Sequence, residues 1–467
     1  MRFDFSDIAM NSSGLSRKPM TFCDTEPKQL FSAVVDLIAV ETGDRKARDN
    51  WQSAQIKNLI KHVHDRSPFW RKRLGTKKAS DIKLADIPIL TRHDVREQVM
   101  AEGTLLSQQD GLRVKRHMTS GSSGTPVEFF VSQMNGYYNQ ARMIAQYFLE
   151  GRDLNLNRTR LRPFNFSEVQ GFPANSSKQR LDVKLSNSWL APLDSLIKSG
   201  LNKNIGYWHP SLDQLLTELS KHPIGYFVVS SRLLEVLFSA HGIEDLIENK
   251  IAMVVPLSDK LDEGLRKQIV EKGIPVRSNY SSEEVGLIGS ECIEHPNHYH
   301  VAESNVFVEV DNSDVDFGSQ SGIGRILVTH LHSYATPFVR YDIGDFGALM
   351  HTCKCGHNGL TICNIGGREK EFVSHAGGRM TAFHIRASDI TQIVDLDEYR
   401  IRQTSLNNII VEIAGCKKLS SEQRESLTTL IKNHAQGNLS VEIRLVDSID
   451  WGRGNKRLGF CNEVILR

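Results

Sequence analysis

The chain has 467 residues, too many for one ordinary hydrophobic core, so its length predicts a large layered domain together with a smaller one. Its 40% hydrophobic and 24% charged residues are typical of a soluble globular protein, and a formal net charge of +2 gives no reason to expect a nucleic-acid partner. No apolar run approaches the roughly 18 residues of a membrane span, and the first residues lack the apolar stretch of a signal peptide. We therefore expect a cytoplasmic protein with no membrane partner.

The N-terminal region is predicted to be helical after a polar start. Residues 1–25 show no periodicity and are expected to form a mobile arm. Apolar side chains then recur at helical spacing from about Leu30 to Val63. Loop-to-helix junctions are predicted at Ser67–Leu74 and Asp86–Val95, with Thr91 as the N-cap of the second.

A loop with the sequence T-S-G-S-S-G-T-P follows at Thr119–Pro126. Its glycines let backbone N–H groups converge on an anion, and its hydroxyls add donors, so it is suited to phosphate oxygens. Strand-like runs on both sides predict a hairpin, although the composition also fits a flexible turn, and the loop is not a Walker motif. The candidate phosphate-binding residues are Thr119, Ser120, Gly121, Ser122, Ser123, Gly124 and Thr125.

The rest of the chain predicts an α/β protein. Helix and strand patterns alternate between residues 212 and 278, which favours a parallel sheet covered by helices. This stretch includes the predicted strand Pro275–Ser278. Short β-rich runs after Val306 indicate a small barrel-like segment, and the last hundred residues fit a small α+β domain. We therefore predict a mobile arm at 1–25, a large domain at 26–368 and a small mobile domain at 369–467.

Three further motifs carry groups that suit a nucleotide. N-Y-S-S-E-E-V-G at Asn279–Gly286 offers a carboxylate for Mg²⁺ and a tyrosine ring for a base, although adjacent glutamates also occur at solvated helix starts. R-Y-D-I-G-D at Arg340–Asp345 ends in an aspartate suited to ribose hydroxyls, and Arg368 follows as a cation. G-R-G-N-K-R near the end contains Lys456 on a flexible basic loop.

Four cysteines of the seven lie in one quarter of the chain. T-C-K-C-G-H places two of them in one turn, and an upstream cysteine is followed by two histidines, so these residues either form a tetrahedral Zn²⁺ site of Cys₃His type or are idle thiols. His298 or His357 could replace the preferred histidine. The predicted ligands are Cys292, His300, Cys353 and Cys355.

The order and approximate spacing of these motifs resemble the adenylate-forming superfamily, and most closely its phenylacetate-CoA ligase branch, which includes relatives associated with capsule biosynthesis. S-P-F-W-R and D-I-P-I-L-T-R-H-D also resemble that branch, so the likeness covers nearly the whole chain. Such enzymes use ATP and Mg²⁺ to form an acyl-adenylate and then transfer the acyl group to a thiol, usually that of coenzyme A. Some relatives carry a structural zinc.

The resemblance implies a role for each motif residue. Ser120 to Thr125 wrap the β- and γ-phosphates, and Glu371 is the hinge of the small domain. The remaining roles fall on the adenine-contacting Tyr280 and its neighbour Ser281, the Mg²⁺-associated Glu284, the ribose-binding Asp345, the nucleotide-contacting Arg368 and the catalytic Lys456.

The sequence also departs from the family pattern. Ser281 stands where glycine is usual, and Glu283 stands where threonine or serine is usual. The segment Val254–Leu261 lacks G-G-E, and the lysine loop reads G-N-K in place of S-G-K.

The leading hypothesis is an AMP-forming acid–thiol ligase that acts on an aryl or other compact carboxylic acid with coenzyme A as acceptor. An alternative passes the acyl group to an acyl-carrier protein or an amine. A second alternative, suggested by Ser281 and Glu283, is a nucleotide-binding protein with impaired catalysis. The acid is not identified, although Phe164, Phe166, Trp208 and Phe227 are candidates for its pocket wall.

Overall fold

A computed structural model describes residues 26–100, 114–119, 127–163, 180–208, 210–257, 261–313, 322–368, 372–383, 385, 387–437, 439–450 and 459–464. The predicted arm at 1–25, residues 120–126 of the phosphate-binding loop, and Lys456 lie outside these ranges. Among the described residues, no helix is long and apolar enough to cross a membrane.

The N-terminal helices begin where the sequence predicts. Ser67 caps α3 by accepting a hydrogen bond from Trp70 N, and Thr91 Oγ1 accepts one from Asp94 N at 3.1 Å at the start of α4. Both predicted junctions are therefore confirmed. The described helices are Glu26–Thr42 (α1), Arg45–Arg66 (α2), Pro68–Leu74 (α3), Arg92–Met100 (α4), Gln133–Leu149 (α5), Leu212–Ser220 (α6), Ser231–Glu248 (α7), Glu263–Glu271 (α8), Ala387–Thr391 (α9) and Ser421–Ala435 (α10).

The first sheet is the predicted hairpin of two strands, and the second is a mainly parallel sheet of five strands. Their strands are Val114–Met118 (β1), Glu128–Ser132 (β2), Arg158–Pro163 (β3), Arg180–Ser186 (β4), Asn202–Trp208 (β5), Gly225–Ser230 (β6) and Ile251–Leu257 (β7). β1 and β2 pair antiparallel on either side of the phosphate-binding loop. The second sheet has the order β4-β5-β3-β6-β7, in which every pair except β4–β5 is parallel. Its apolar side chains pack against α6, α7 and α8, as the alternation predicts.

The predicted strand Pro275–Ser278 is wrong. This segment makes only an isolated bridge between Val276 and Val254, with hydrogen bonds on either side of it from Val254 N to Pro275 O and from Arg277 N to Val254 O. Pro275 has no N–H to extend the ladder, and the chain enters the next sheet at Asn279.

The third sheet is antiparallel and strongly curled. It contains Asn279–Ser282 (β8), Gly286–Glu291 (β9), Tyr299–Val301 (β10), Val306–Asp311 (β11), Gly324–His330 (β12), Tyr341–Met350 (β13) and Thr361–Arg368 (β14). The order is β11-β12-β13-β14-β10-β9-β8, so three strands separate β8 from β13. Tyr280 on β8 nevertheless hydrogen-bonds Asp345 on β13 at 2.8 Å. Because flat sheets space adjacent strands about 4.8 Å apart, this contact requires the sheet to curl, which gives the predicted barrel-like segment without closure among the described strands.

The C-terminal residues form a separate hydrophobic core. Strands Phe372–Ser374 (β15) and Met380–Ala382 (β16) form a hairpin, and Glu398–Ser405 (β17), Asn408–Ala414 (β18), Ser440–Val446 (β19) and Phe460–Asn462 (β20) form a sheet of order β19-β18-β17-β20. Side chains of this sheet pack with those of α9 and α10 in a cluster whose members all lie after residue 372. This cluster is consistent with a small α+β domain, while the boundary at 368/369 stays a prediction.

Candidate functional site

A buried carboxylate links three distant segments of the large domain. The side chain of Glu284, in the β8–β9 turn, is only 7% exposed. Arg92 donates from Nη1 to Glu284 Oε1 at 3.4 Å and from Nη2 to Thr119 Oγ1 at 3.0 Å. Thr119 is also fastened across its hairpin, since its hydroxyl accepts from Val127 N and its own N donates to Val127 O, both at 2.9 Å. Arg92 therefore connects Thr119, the first residue of the predicted phosphate-binding loop, to Glu284.

Tyr341 supplies the second donor to Glu284. Its hydroxyl lies 3.3 Å from Glu284 Oε1. Burial, reinforced by the nearby Glu284 carboxylate, raises the pKa of Tyr341 well above its usual value, so the phenol stays protonated and donates. Both donors reach Oε1, and Oε2 accepts no hydrogen bond from the described parts of the chain. One carboxylate oxygen therefore remains available to a cation.

The chain positions Arg92 through a short contact with β13. Leu90 N donates to Arg340 O at 3.0 Å, and Asp342 N donates to Leu90 O at 2.9 Å. Arg340 Nη1 also donates to Ile87 O at 2.6 Å. These bonds fasten the segment before α4 beside Tyr341, so the first residue of α4 points toward Glu284.

A second cluster of side chains surrounds Asp345, which lies four residues after Tyr341 on β13. Tyr280 donates its hydroxyl to Asp345 Oδ2 at 2.8 Å, and the Tyr280 ring packs 5.8 Å from that of Tyr299. Arg368 on β14 is the register partner of Asp345. Tyr341 and Asp345 are both on β13 and reach Glu284 and Tyr280, so the curl of the sheet brings together the predicted tyrosine, glutamate and aspartate.

The remaining predicted residues are distributed as follows. Ser281 is exposed beside Tyr280. Phe227 is fully buried among the helices and strands of the parallel sheet, so it belongs to the core and not to a pocket wall. Phe164, Phe166, Glu371, Lys456 and loop residues Ser120 to Thr125 lie outside the described residues.

Arg92 and Tyr341 are site residues that the sequence reasoning missed. Arg92 immediately follows the predicted cap Thr91, and Tyr341 lies within the R-Y-D-I-G-D motif. Both residues therefore lie in segments for which the sequence predicts other features. Only the tertiary structure shows that both side chains contact Glu284.

A separate side-chain cluster contains the four predicted metal ligands. The ligand atoms of Cys292, His300, Cys353 and Cys355 all lie within 4.8 Å of one another. Cys292 directly follows β9, His300 is on β10, and the other two lie in the β13–β14 turn, whose Gly356 adopts φ +87°. A tetrahedral Zn²⁺ with bonds of about 2.3 Å to sulfur would separate its sulfur ligands by roughly 3.8 Å, so the donor set and its spacing fit.

The two alternative histidines lie beside this cluster. His298 Nδ1 is 3.9 Å from Cys353 Sγ, whereas His300 Nε2 is 3.4 Å from Cys355 Sγ. The His357 ring stacks on that of His300 with centroids 4.0 Å apart. Burial, with a smaller contribution from His357, lowers the pKa of His300 to about 3, so its imidazole is neutral.

Comparisons with known proteins agree with the motifs. No protein-family model matches the chain. Protein CapK of Staphylococcus aureus is 25% identical over 431 residues, which cover 88% of this chain and 89% of CapK. Phenylacetate-coenzyme A ligase of Thermus thermophilus is 23% identical over 355 residues, which cover 72% of this chain and 73% of the ligase.

A similar fold is found in crystal structures of 2-hydroxyisobutyryl-CoA ligase. The post-adenylation state in complex with 2-HIB-AMP has a TM-score of 0.60 and 16% identity, and the match covers 90% of each chain. By these similarities the chain resembles the adenylate-forming superfamily, and within it the phenylacetate-CoA ligase-like branch. The open conformation of the same ligase, in complex with 2-HIB-AMP and CoA, has a TM-score of 0.57.

These similarities agree with the family resemblance predicted from the motifs, and the shared fold confirms the predicted fold class. They do not test the role of any single residue. The contacts between Tyr280 and Asp345, and between Arg92, Thr119 and Glu284, are properties of this chain.

Proposed function

We propose that the chain is an AMP-forming acid–CoA ligase. In the first step the substrate carboxylate attacks the α-phosphate of ATP, which forms an acyl-adenylate and releases pyrophosphate. In the second step the thiol of coenzyme A attacks the acyl carbon, which forms the thioester and releases AMP. The observation that carries the proposal is the connection of Thr119 to Glu284 through Arg92, because it links a phosphate-binding loop to a carboxylate suited to a metal.

Each motif has a role in the first step of this proposal. Thr119 and residues 120–125 bind the leaving phosphates, and Tyr280 contacts the adenine while Asp345 binds the ribose. Arg368, at the register position opposite Asp345, contacts the nucleotide, and Lys456 stabilises the charge that develops between carboxylate and α-phosphate.

Glu284 would hold Mg²⁺ through Oε2, the oxygen that accepts no hydrogen bond from the described residues. Mg²⁺, when bound, would neutralise phosphate charge. Arg92 and Tyr341 fix the carboxylate through Oε1, so that its orientation need not be established during the reaction.

The substrate class is an aryl or other compact carboxylic acid. Relatives act on acids of this size, as the names phenylacetate-coenzyme A ligase and 2-hydroxyisobutyryl-CoA ligase state. The proposal therefore predicts turnover within a panel of small aromatic and short branched acids.

The test is acid-dependent release of pyrophosphate across such a panel, followed by addition of coenzyme A, a phosphopantetheinylated carrier protein or an amine in separate reactions. We expect release with at least one acid and thioester formation with coenzyme A. Glu284→Gln should lower release by about 100-fold, as loss of a preorganised electrostatic group typically does. The matched control is Glu425→Gln, on the exposed face of α10, which should leave the release of pyrophosphate unchanged.

Two outcomes would contradict the proposal. If the acyl group is transferred only to the carrier protein or only to the amine, then coenzyme A is not the acceptor. Nucleotide binding without pyrophosphate release for every acid would instead favour the non-catalytic alternative.

We also propose that Cys292, His300, Cys353 and Cys355 bind a structural Zn²⁺. Four protein ligands leave no open position, so the ion would join the β9–β10 and β13–β14 connections without taking part in the reaction. Elemental analysis should find one zinc per chain. Cys353→Ser should lose it, and Cys416→Ser should retain it because Cys416 lies in the C-terminal core. Zinc-free wild-type protein would contradict this assignment.

A further inference from the structure

β4 is an edge strand of the parallel sheet. Among the described residues it pairs with β5 alone, on one side, and its residues are half-buried or exposed. The side chain of Lys184 is 79% exposed, and Leu185 is 53% exposed. The side of β4 that faces away from β5 presents backbone N–H and C=O groups suited to pairing with another strand.

The sequence of β4 is complementary to itself when it runs antiparallel. If two copies meet about a two-fold axis at Val183, Asp182 of each copy lies opposite Lys184 of the other, and Leu181 lies opposite Leu185. An axis at Asp182 would instead place Arg180 opposite Lys184, and an axis at Lys184 would oppose two lysines. Opposite charges stabilise a directly facing pair and like charges destabilise it. An axis at Val183 opposes unlike charges and also pairs all seven residues of β4, so this register is favourable.

A cavity beside β4 has space for side chains of the second copy. It has a volume of about 360 Å³ and lies between the first residues of β4 and the outer face of α6, where Leu181, Thr217 and Glu218 contribute to its wall. In the Val183 register, Leu185 of one copy faces Leu181 of the other at this cavity. The pairing would therefore bury an exposed leucine on each side.

We propose that the protein forms a homodimer by antiparallel pairing of β4 with β4 of a second copy. The two five-stranded sheets then form one continuous sheet across the two-fold axis. The proposal concerns assembly and does not depend on the ligase activity.

The test is sedimentation of the full chain and of charge variants. Wild type should sediment at twice the 52.6 kDa mass of one chain. In the Lys184→Asp variant, Asp182 of each copy faces an aspartate of the other copy, so two attractive cross-strand pairs become repulsive. This change should weaken dimerisation by about 10-fold to 100-fold. The double swap Asp182→Lys with Lys184→Asp restores opposite charges and should restore the dimer. Far-UV circular dichroism verifies that each variant is folded.

The matched control is β19, another edge strand with an alternating charged pair. Its Arg444 already binds Glu442 within the chain at 2.7 and 3.0 Å, whereas Lys184 lies 3.9 Å from Asp182. Arg444→Glu should therefore leave the dimer intact. A monomeric wild type, an unaffected Lys184→Asp dimer, or dissociation by Arg444→Glu would each overturn the proposal.

Discussion

Glu284 is a nearly buried carboxylate whose two donors come from distant parts of the sequence. Arg92 lies 192 residues before it and Tyr341 lies 57 residues after it. Removing one donor leaves a desolvated charge without full compensation, which costs more than the bond itself contributed. The position of Glu284 should therefore be sensitive to substitutions of its neighbours.

Arg92→Ala tests this dependence. The variant removes one hydrogen bond to Glu284 and one to Thr119, so both the carboxylate and the phosphate-binding loop lose a fixed partner. Because a hydrogen bond to a charged group contributes about 1.5–3 kcal/mol, we expect pyrophosphate release to fall roughly 10-fold to 100-fold. Arg96→Ala, one turn further along α4, is the control and should retain wild-type activity. Equal losses in both variants would show that α4 as a whole, and not Arg92, is required.

A buried histidine pair predicts loss of stability in acid. His330 is fully buried, and burial, with a smaller contribution from His332, lowers its pKa to about 3. An unfolded histidine titrates near 6.5, so below that pH the unfolded state binds a proton that the folded state excludes. The free energy of unfolding should fall by about 1.4 kcal/mol per pH unit for each such histidine, or about 2 kcal/mol by pH 5.

His330→Gln separates this effect from other titrations. The amide cannot take up the proton, so urea unfolding should show a smaller loss of stability between pH 7 and pH 5 than in wild type, by about 2 kcal/mol. The comparison uses the change with pH, so a constant difference in stability cancels. A parallel decline in the two proteins would refute the role of His330.

Strand β13 is the element that organises the site. One of its faces presents Tyr341 and Asp345, and its backbone fastens the segment that precedes α4. Arg340, at the start of the strand, adopts a left-handed φ of 48° and binds Glu309 as well as the carbonyl of Ile87. The contacts that Arg340, Tyr341 and Asp345 of the R-Y-D-I-G-D motif make with other segments therefore all depend on the position of one strand.

The C-terminal core contains a helix, α10, with a complete capping box. Ser420 accepts from Gln423 N at 3.1 Å, and the Gln423 side chain accepts from Ser420 N at 2.9 Å. α10 packs Leu427 and Ile431 into the C-terminal core, so loss of the cap that stabilises the helix should also weaken that core. Ser420→Ala should lower the free energy of unfolding by about 1 kcal/mol, measured by urea denaturation.

The control for this cap is Ser80→Ala. The Ser80 hydroxyl is exposed and donates to the neighbouring Asp81 carboxylate, and it caps no α-helix. Its removal should therefore change the free energy of unfolding much less than removal of the Ser420 hydroxyl. Equal losses in the two variants would show that the capping box contributes nothing beyond an ordinary surface hydroxyl.

An apolar contact joins β13 to β15 across the predicted boundary at 368/369. Phe346 on β13 packs against Phe372 on β15 with ring centroids 5.2 Å apart, next to Met380. So small a contact would allow the predicted small domain to move about its hinge at Glu371, whereas a large hydrophobic interface would resist such a motion. The family resemblance implies that this motion would withdraw Lys456 between the two steps.

Lys456→Ala tests whether that lysine serves only the first step. We expect acid-dependent pyrophosphate release to fall at least about 100-fold, because the charge that develops during attack on the α-phosphate loses its cation. Thioester formation from a supplied acyl-adenylate should stay within a few-fold of wild type. If both half-reactions fall equally, Lys456 does not have the proposed step-specific role.

Sequence alone was enough to predict most of the helices, two strands of the parallel sheet (β6 and β7), the N-cap Thr91 and the family resemblance, because these depend on local apolar periodicity and on short motifs. It also indicated the four residues of the metal cluster, since C-x-C and neighbouring histidines are distinctive. It could not indicate that Arg92 and Tyr341 contact Glu284, or that Tyr280 reaches Asp345 across three strands. These contacts depend on the tertiary structure. The Tyr280 and Tyr341 contacts follow from the curl of the antiparallel sheet, which the register and twist of its strands produce together, and the Arg92 contact follows from the hydrogen bonds between Leu90 and β13.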